Sequence, residues 1–140
     1  MSLCAFDRSK INTLFQTHPG LAYDLTWIAS REERLLDENL LSIGRRTAEE
    51  RIAYVLCTLH YRASQLGMTQ AGKLTVPLTQ QHLADTLGLS LVHTNKTLAR
   101  LVKSGLARWL ERGGFEIINS GKLASLAGWR TPPETARPFL

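Results

Sequence analysis

The sequence predicts a mainly α chain with one small β-hairpin, and three observations predict it. A long stretch from Pro19 to Ile43 has apolar residues at helical spacing and no proline or glycine beyond Gly20. Two shorter helical patterns, Gln80 to Leu87 and Ser90 to about Ser104, are separated only by a turn at Gly88 and Leu89. Directly after them, Leu106–Leu110 and Phe115–Ile118 read as strands around the turn Glu111-Arg112-Gly113-Gly114. Helix, short turn, helix and hairpin is the order of parts in a winged helix-turn-helix, here preceded by a long helix.

The chain has 140 residues, a formal net charge of +5 and 44% hydrophobic residues. That length suits one domain, or one small domain with an appendage, and can bury a core without disulfides or metals. The basic balance favours polyanionic partners. Cys4 and Cys57 form no CxxC pair and are read as reduced thiols. No apolar run approaches the ~20 residues that span a bilayer. The start is not a secretory signal, because Asp7 and Arg8 interrupt it. No membrane partner and a cytoplasmic location are expected.

Taken in order, Asp7 to Thr17 predicts a short helix with Ile11, Leu14 and Phe15 on one side. Pro19 then suits the first position of the long helix. Along that helix Leu21, Ile28, Leu35 and Ser42 fall at d positions of a heptad-like register, and Leu25, Glu32 and Asn39 at a positions. Ala22, Ala29, Leu36, Leu40 and Ile43 widen the stripe. Such a helix either packs on its own domain or forms a dimer through Leu21, Leu25, Ile28, Leu35 and Leu36. In the second case Asn39 is a polar a position that favours two strands.

Gly44-Arg45-Arg46 interrupts the pattern and reads as a hinge. Thr47-Ala48-Glu49-Glu50 has the form of a capping box, so a new helix is expected from Ala48, carrying Ile52, Ala53, Val55, Leu56, Leu59 and Leu66 and ending at Gly67. Met68 to Leu74 reads as a polar loop. Thr75 to Leu78 reads as a short extended segment that Pro77 confines to an edge. Thr79 is an N-cap for the next helix, and Ser90 for the one after it. Leu83, Ala84, Leu87, Leu89, Leu98 and Leu101 supply the wedge between the two. Asn119 or Ser120 caps a last helix through Leu123, Leu126 and Trp129. The expected organisation is an N-terminal segment with a dimerisation helix over 1–46, a DNA-binding domain over 47–130, and a mobile tail over 131–140.

At 100° per residue, Thr94, Leu98 and Leu101 share the buried face of the second helix. Val92, Lys96, Ala99 and Lys103 lie opposite, with His93 and Arg100 on one flank and Asn95 on the other. An exposed face of cations, histidine and asparagine suits a major groove, with the first residues at base edges and the later cations at phosphates. The plainer alternative is a solvated, charged helix face. The hairpin that follows favours the first reading, since Arg108 and Arg112 add positive charge to a wing. Val92, His93 and Lys96 are the expected base contacts. Thr79, Gln80, Gln81, Ser90, Asn95, Arg100, Lys103 and Arg112 are the expected contacts to the DNA backbone.

The chain resembles the Crp/Fnr family of bacterial transcription regulators from about Leu21 to Gly128. The resemblance rests on Gly44-Arg45-Arg46-Thr47-Ala48-Glu49-Glu50-Arg51-Ile52-Ala53, on Leu78-Thr79-Gln80-Gln81-His82-Leu83-Ala84, and most sharply on Leu87-Gly88-Leu89-Ser90-Leu91-Val92-His93-Thr94-Asn95-Lys96-Thr97-Leu98 with Gly105-Leu106. It implies that Pro19–Ile43 is the central dimerisation helix and that Gly44 to Thr47 is the hinge. It implies that Val92, His93 and Lys96 face bases while Thr79, Gln80 and Gln81 meet phosphates. Members carry a jelly-roll sensor domain of cyclic-nucleotide-binding fold before the central helix. Only about twenty residues stand there in this sequence, so no cyclic nucleotide is expected to bind this chain. The oxygen-sensing branch holds an iron–sulfur cluster with several cysteines, and two distant cysteines do not meet that need. Leu91 and Val92 stand where the best-known members have charged residues, so their DNA preference is not carried over.

Cys57 and His60 lie three apart on a helix, but two ligands are too few for structural zinc, and a buried thiol is the expected role of Cys57. His82 either approaches phosphate or is solvated. Glu32, Glu33, Asp37 and Glu38 mix with Arg31 and Arg34 as helix-surface pairs rather than catalytic carboxylates. No phosphate loop, nucleophile elbow or HExxH motif occurs. The sequence therefore predicts no enzyme, no metal and no cofactor. Double-stranded DNA and a second copy of the chain are the expected partners, with RNA polymerase a further candidate. The rival function is a protein-interaction module that keeps the winged fold without reading DNA.

Overall fold

The structure is a computed structural model that describes residue 5, residues 7–111 and residues 113–132. The expectations for Arg112, for Cys4 and for the tail beyond residue 132 lie outside the described residues. The chain divides into two units, residues 1–41 and residues 42–140.

The first unit opens with a 3-10 turn over Arg8–Lys10 and continues into α1, Ile11–Thr17, so the first predicted helix has a tighter first turn. The Asp7 carboxylate caps that turn, accepting hydrogen bonds from the Ser9 N–H and hydroxyl, each at 2.9 Å, which holds its carboxyl below the usual range. Helix α2 spans Pro19–Arg45, with Pro19 at its first position as expected. It does not stop at Ile43. Gly44 has open space where a Cβ would stand, and the helix runs on through it by two residues, to Arg45. No described residue of the first unit is buried, and Leu21, Leu25, Ile28, Leu36 and Leu40 are all exposed.

The second unit begins within the last turn of α2, where Ser42 is fully buried. Ser42 therefore drops out of the expected heptad seam. Its hydroxyl accepts a hydrogen bond from Arg46, whose guanidinium stacks on the Tyr54 ring at 3.8 Å. Arg51 gathers three carbonyls: Nη2 donates to Ile43 O at 2.6 Å, Nε to Arg46 O at 2.8 Å and Nη1 to Leu87 O at 3.5 Å.

Helix α3, Ala48–Gln65, starts with the predicted capping box. The Thr47 N–H donates to the Glu50 carboxylate at 2.7 Å, and the Glu50 N–H donates to Thr47 Oγ1 at 3.3 Å. These bonds hold the Glu50 carboxyl below the usual carboxylate range, chiefly through the Thr47 backbone N–H. Helices α4, Gln80–Leu87, α5, Leu91–Lys103, and α6, Ser120–Ala127, complete the helical part. Helix α6 ends before Trp129, because Gly128 turns left-handed at φ 60° and the Trp129 N–H closes onto Ala124 O at 2.9 Å.

The core lies where α3 packs on α5 and α6. Ile52 and Leu56 of α3, Leu83 and Leu87 of α4, Leu101 of α5, Leu123 of α6, and Phe115 in the sheet are all fully buried. Each such side chain contributes about 1.5–3 kcal/mol by leaving water.

The sheet is wider than predicted. Strands β3, Ala107–Trp109, and β4, Phe115–Ile117, form the expected hairpin. Two further strands, β1 at Thr69–Gln70 and β2 at Lys73–Leu74, stand where a polar loop was expected. The four run antiparallel in the order β1-β2-β4-β3. Ala71 and Gly72 form a two-residue turn with φ of 48° and 76°, the twist that suits a tight hairpin. Ala71 is a poor residue for that conformation, so the sequence carried no turn signal. Thr75 to Leu78 is not a strand. It passes beside the wing turn instead, where Gly114 N–H meets Leu78 O at 3.4 Å. A Cβ on Gly114 would run into the Leu74 carbonyl oxygen, and φ there is 88°. Only glycine fits this crossing.

Candidate nucleic-acid interface

The two helices of the reading pair are set by their caps. Thr79 Oγ1 accepts from the His82 N–H at 3.1 Å, and His82 Nδ1 accepts from the Thr79 N–H at 3.3 Å. His82 thus completes a capping box, a local role that neither of its expected roles included. Gly88 stops α4 with φ 62°, and the Leu89 N–H closes onto Ala84 O at 3.0 Å. Ser90 then starts α5, its hydroxyl oxygen accepting from the His93 N–H at 3.2 Å. A left-handed glycine between two capped helices fixes the turn angle without a long loop.

Helix α5 has the expected two faces. Thr94, Leu98 and Leu101 are buried, and Thr97 joins them. Thr97 was missed because threonine is polar, yet its Oγ1 accepts from Arg100 Nη2 at 3.2 Å. Thr94 Oγ1 is buried without a hydrogen-bond partner. Val92, His93, Asn95, Lys96, Ala99, Arg100 and Lys103 are all exposed. Val92 is 64% exposed on the first turn of the helix, a large apolar residue with nothing of its own domain to cover it.

The expected backbone contacts differ in what already holds them. Thr79 and Ser90 are exposed caps, and the hydroxyl hydrogen of each remains free to donate. Gln80 is half-buried, and Gln81 Nε2 donates to Asp85 Oδ1 at 2.7 Å. Both sit in the first turn of α4, whose backbone N–H groups point outward without intrahelical partners. Arg100 leans on α3, with Nε 3.6 Å from the Glu49 carboxylate. Glu49 was not singled out from sequence, since nothing local ties it to α5. On the wing, Arg108 Nε pairs with Glu116 at 3.0 Å across the β3–β4 ladder, so its charge is largely spent within the hairpin. Among the described residues no ion pair engages Lys96 or Lys103.

Capped helix, glycine turn, second helix with a bared basic face and a following wing together match one kind of domain. The family profile described as a Crp-like helix-turn-helix domain matches residues 50–126. The chain belongs to the Crp/Fnr family. The nitrogen fixation regulation protein FixK of Bradyrhizobium diazoefficiens is 26% identical over 128 residues, which are 91% of this chain and 53% of that protein. The transcriptional activator protein FnrA of Stutzerimonas stutzeri is 32% identical over 129 residues, 91% of this chain and 51% of FnrA. The solved structure of FixK2 from Bradyrhizobium japonicum superposes with a TM-score of 0.75 at 25% identity, over 86% of this chain and 59% of that one. A structure of CprK, at 18% identity and a TM-score of 0.64, shares the fold. The chain spans about half the length of the curated relatives it matches. These relatives are named as regulators rather than enzymes. The mainly α, winged helix-turn-helix class expected from sequence is the observed one, and the domain is of the DNA-binding, transcription-regulating kind.

Two expectations about other sites can be placed. Cys57 is buried and free, and burial pushes its thiol up to about 11, as suits a packing residue rather than a reactive one. Among the described residues no helix is long and apolar enough to cross a membrane.

Proposed function

We propose that the chain binds double-stranded DNA sequence-specifically as a dimeric transcription regulator, with residues 90–104 in the major groove. The observation that carries this is the bared face of α5, where Val92, His93 and Lys96 are exposed in its first two turns opposite the buried Thr94, Leu98 and Leu101. In this reading Lys96 donates to guanine acceptors, His93 reads a neighbouring edge, and Val92 touches a thymine methyl. Thr79, Gln80, Gln81, Ser90, Asn95, Lys103 and Arg112 hold phosphates, and Arg100 joins them by leaving Glu49. The first-turn N–H groups of α4 favour an anion for the same reason any helix start does. Leu21, Leu25, Ile28, Leu35, Leu36 and Asn39 form a two-fold seam between copies. The reading domain is assigned to residues 47–130. RNA polymerase is the assigned protein partner, in the cytoplasm, where the DNA is.

Selection of bound sequences from a random duplex pool tests the reading. The expected product is an imperfect palindrome with half-site centres roughly 34–36 Å apart. Lys96→Ala and wild type are then bound to the selected site and to its single-base variants. Loss of discrimination at one position of each half-site, about 1–3 kcal/mol, supports base readout. A uniform loss with a reduced salt slope makes Lys96 a phosphate contact and moves readout elsewhere on α5. Gln80→Ala is expected to weaken all duplexes about equally. If the pool yields no enrichment and binding does not depend on salt, the domain does not read DNA.

A further inference from the structure

Two arginine–glutamate pairs in the second unit differ in how they are built. In the wing, Arg108 donates to the Glu116 carboxylate through both Nε and Nη2, the first at 3.0 Å, and the Glu116 side chain is only 14% exposed. Two donors of a planar fork hold one acid that is largely out of water, so this pair is closed. The pair between α5 and α3 is open. Arg100 Nε stands 3.6 Å from the Glu49 carboxylate, beyond hydrogen-bond length, and the two side chains are 57% and 31% exposed. Such a pair is worth little while both partners stay in water, so another anion can replace the acid.

The surroundings show what the acid is for. Arg100 Nη2 donates to Oγ1 of the buried Thr97 at 3.2 Å, so Thr97 and Glu49 together hold the guanidinium on the α3 side of α5. Arg100 is the one arginine of α5, and its planar fork suits a phosphate better than the point charges of Lys96 and Lys103. Among the described residues it is also the only one of these three cations supplied with an acid. Glu49 has no second hydrogen-bond or ion-pair partner among the described residues, unlike its neighbour Glu50, which closes the capping box. It lies in the first turn of α3, where the helix dipole favours a carboxylate whether or not Arg100 is beside it. The acid can therefore stay in place when the arginine leaves.

We propose that Glu49 stands in for a DNA phosphate, holding Arg100 while no duplex is bound and giving it up to a phosphate oxygen on binding. This rests on the reading of α5 as the DNA-binding face. The exchange is charge for charge, and Glu49 is left to water. Phosphates carry no base sequence, so the acid lowers affinity for every duplex alike. Its main effect falls on unrelated DNA, where phosphate contacts supply nearly all of the binding.

The test titrates the whole 140-residue chain, Glu49→Gln, Arg100→Gln and the double variant against the duplex selected from the random pool and a duplex of unrelated sequence, across about 50–200 mM salt. Glu49→Gln is expected to bind both duplexes about two- to fivefold more tightly at low salt, with a steeper salt dependence and unchanged single-base discrimination. Arg100→Gln is expected to weaken both. In the Arg100→Gln background, Glu49→Gln should gain less than about half as much on a logarithmic scale. Glu49→Asp keeps the charge but is one methylene short of Arg100, and should show most of the same tightening. It serves instead if the glutamine variant does not fold. The proposal is overturned if removing the acid's reach weakens binding, which would make Glu49 a positioning residue for Arg100, or if it leaves affinity unchanged. It is also overturned if the gain is the same with and without Arg100, the mark of general repulsion. Those three outcomes leave the DNA reading intact, whereas a wild type that binds neither duplex in a salt-dependent way ends both.

Discussion

The two units of this chain solve the problem of apolar surface in opposite ways. Residues 42–140 bury theirs internally, with Ile52, Leu56, Leu83, Leu101, Phe115 and Leu123 all removed from water. In residues 1–41 no described residue is buried, and Leu21, Leu25 and Ile28 stand 42–50% exposed along one helix. The first arrangement is a folding unit in its own right. The second leaves its apolar stripe bare, and a helix of that kind gains its stability from what it packs against. Pairing of copies through that stripe, as proposed, makes the stability of the first unit follow concentration while that of the second ignores it.

The contrast is broken most severely at the wing. Gly114→Ala forces a side chain into the Leu74 carbonyl at a left-handed φ, and is expected to cost the second unit about 3 kcal/mol or more. Urea denaturation followed by near-UV circular dichroism should show this, with the α2 seam unaffected. A cost below about 1 kcal/mol would mean that the wing turn does not pack as described.

Ile28→Asp addresses the other side. It is expected to weaken self-association by about a hundredfold, roughly 2–3 kcal/mol, while the melting of the second unit stays put. Sedimentation across a concentration series measures the first quantity and thermal denaturation the second. A wild type that is monomeric at tens of micromolar would remove the seam from the account of this chain.

A smaller effect, of opposite sign, is expected at the β1–β2 turn. Ala71 holds φ 48°, and asparagine tolerates that region better. Ala71→Asn should stabilise the second unit by about 0.5–1 kcal/mol. The same denaturation curve reads it, and a loss would show that Ala71 is held for its size.

The last effect is a dependence on pH. Glu50 titrates below its ordinary value of 4.5 in the folded chain because it accepts the Thr47 N–H. A carboxylate whose folded value is depressed adds stability above its unfolded value and loses it as pH falls through the folded one. Glu50→Gln should flatten the part of the acid-denaturation curve below pH 4.5 that this group contributes. An unchanged curve would show that the capping box is absent in solution.

What the sequence revealed follows the range of the interactions involved. The caps at Thr47, Thr79 and Ser90 and the two faces of α5 were legible because each is decided within a few residues. The β3–β4 hairpin was legible from Gly113-Gly114. The β1–β2 hairpin was not, since Ala71 sits where asparagine or glycine would have announced a turn. Ser42 fitted a heptad position, yet Arg46 and its own unit bury it, a contest that periodicity cannot judge. The Glu49–Arg100 pair joins residues far apart in sequence and was invisible for that reason.

Arg51 has a mechanical consequence. Its guanidinium is a flat, stiff fork, and it grips Ile43 and Arg46 at the end of α2 with one side while reaching Leu87 at the end of α4 with the other. Two helices thus terminate on one cation, each with the negative end of its dipole turned toward it. Three residues beyond Leu87 comes Ser90, the cap of α5. The carbonyls of Ile43 and Arg46 and the carbonyl that closes α4 therefore share one cation inside the second unit, and losing it would free all three at once.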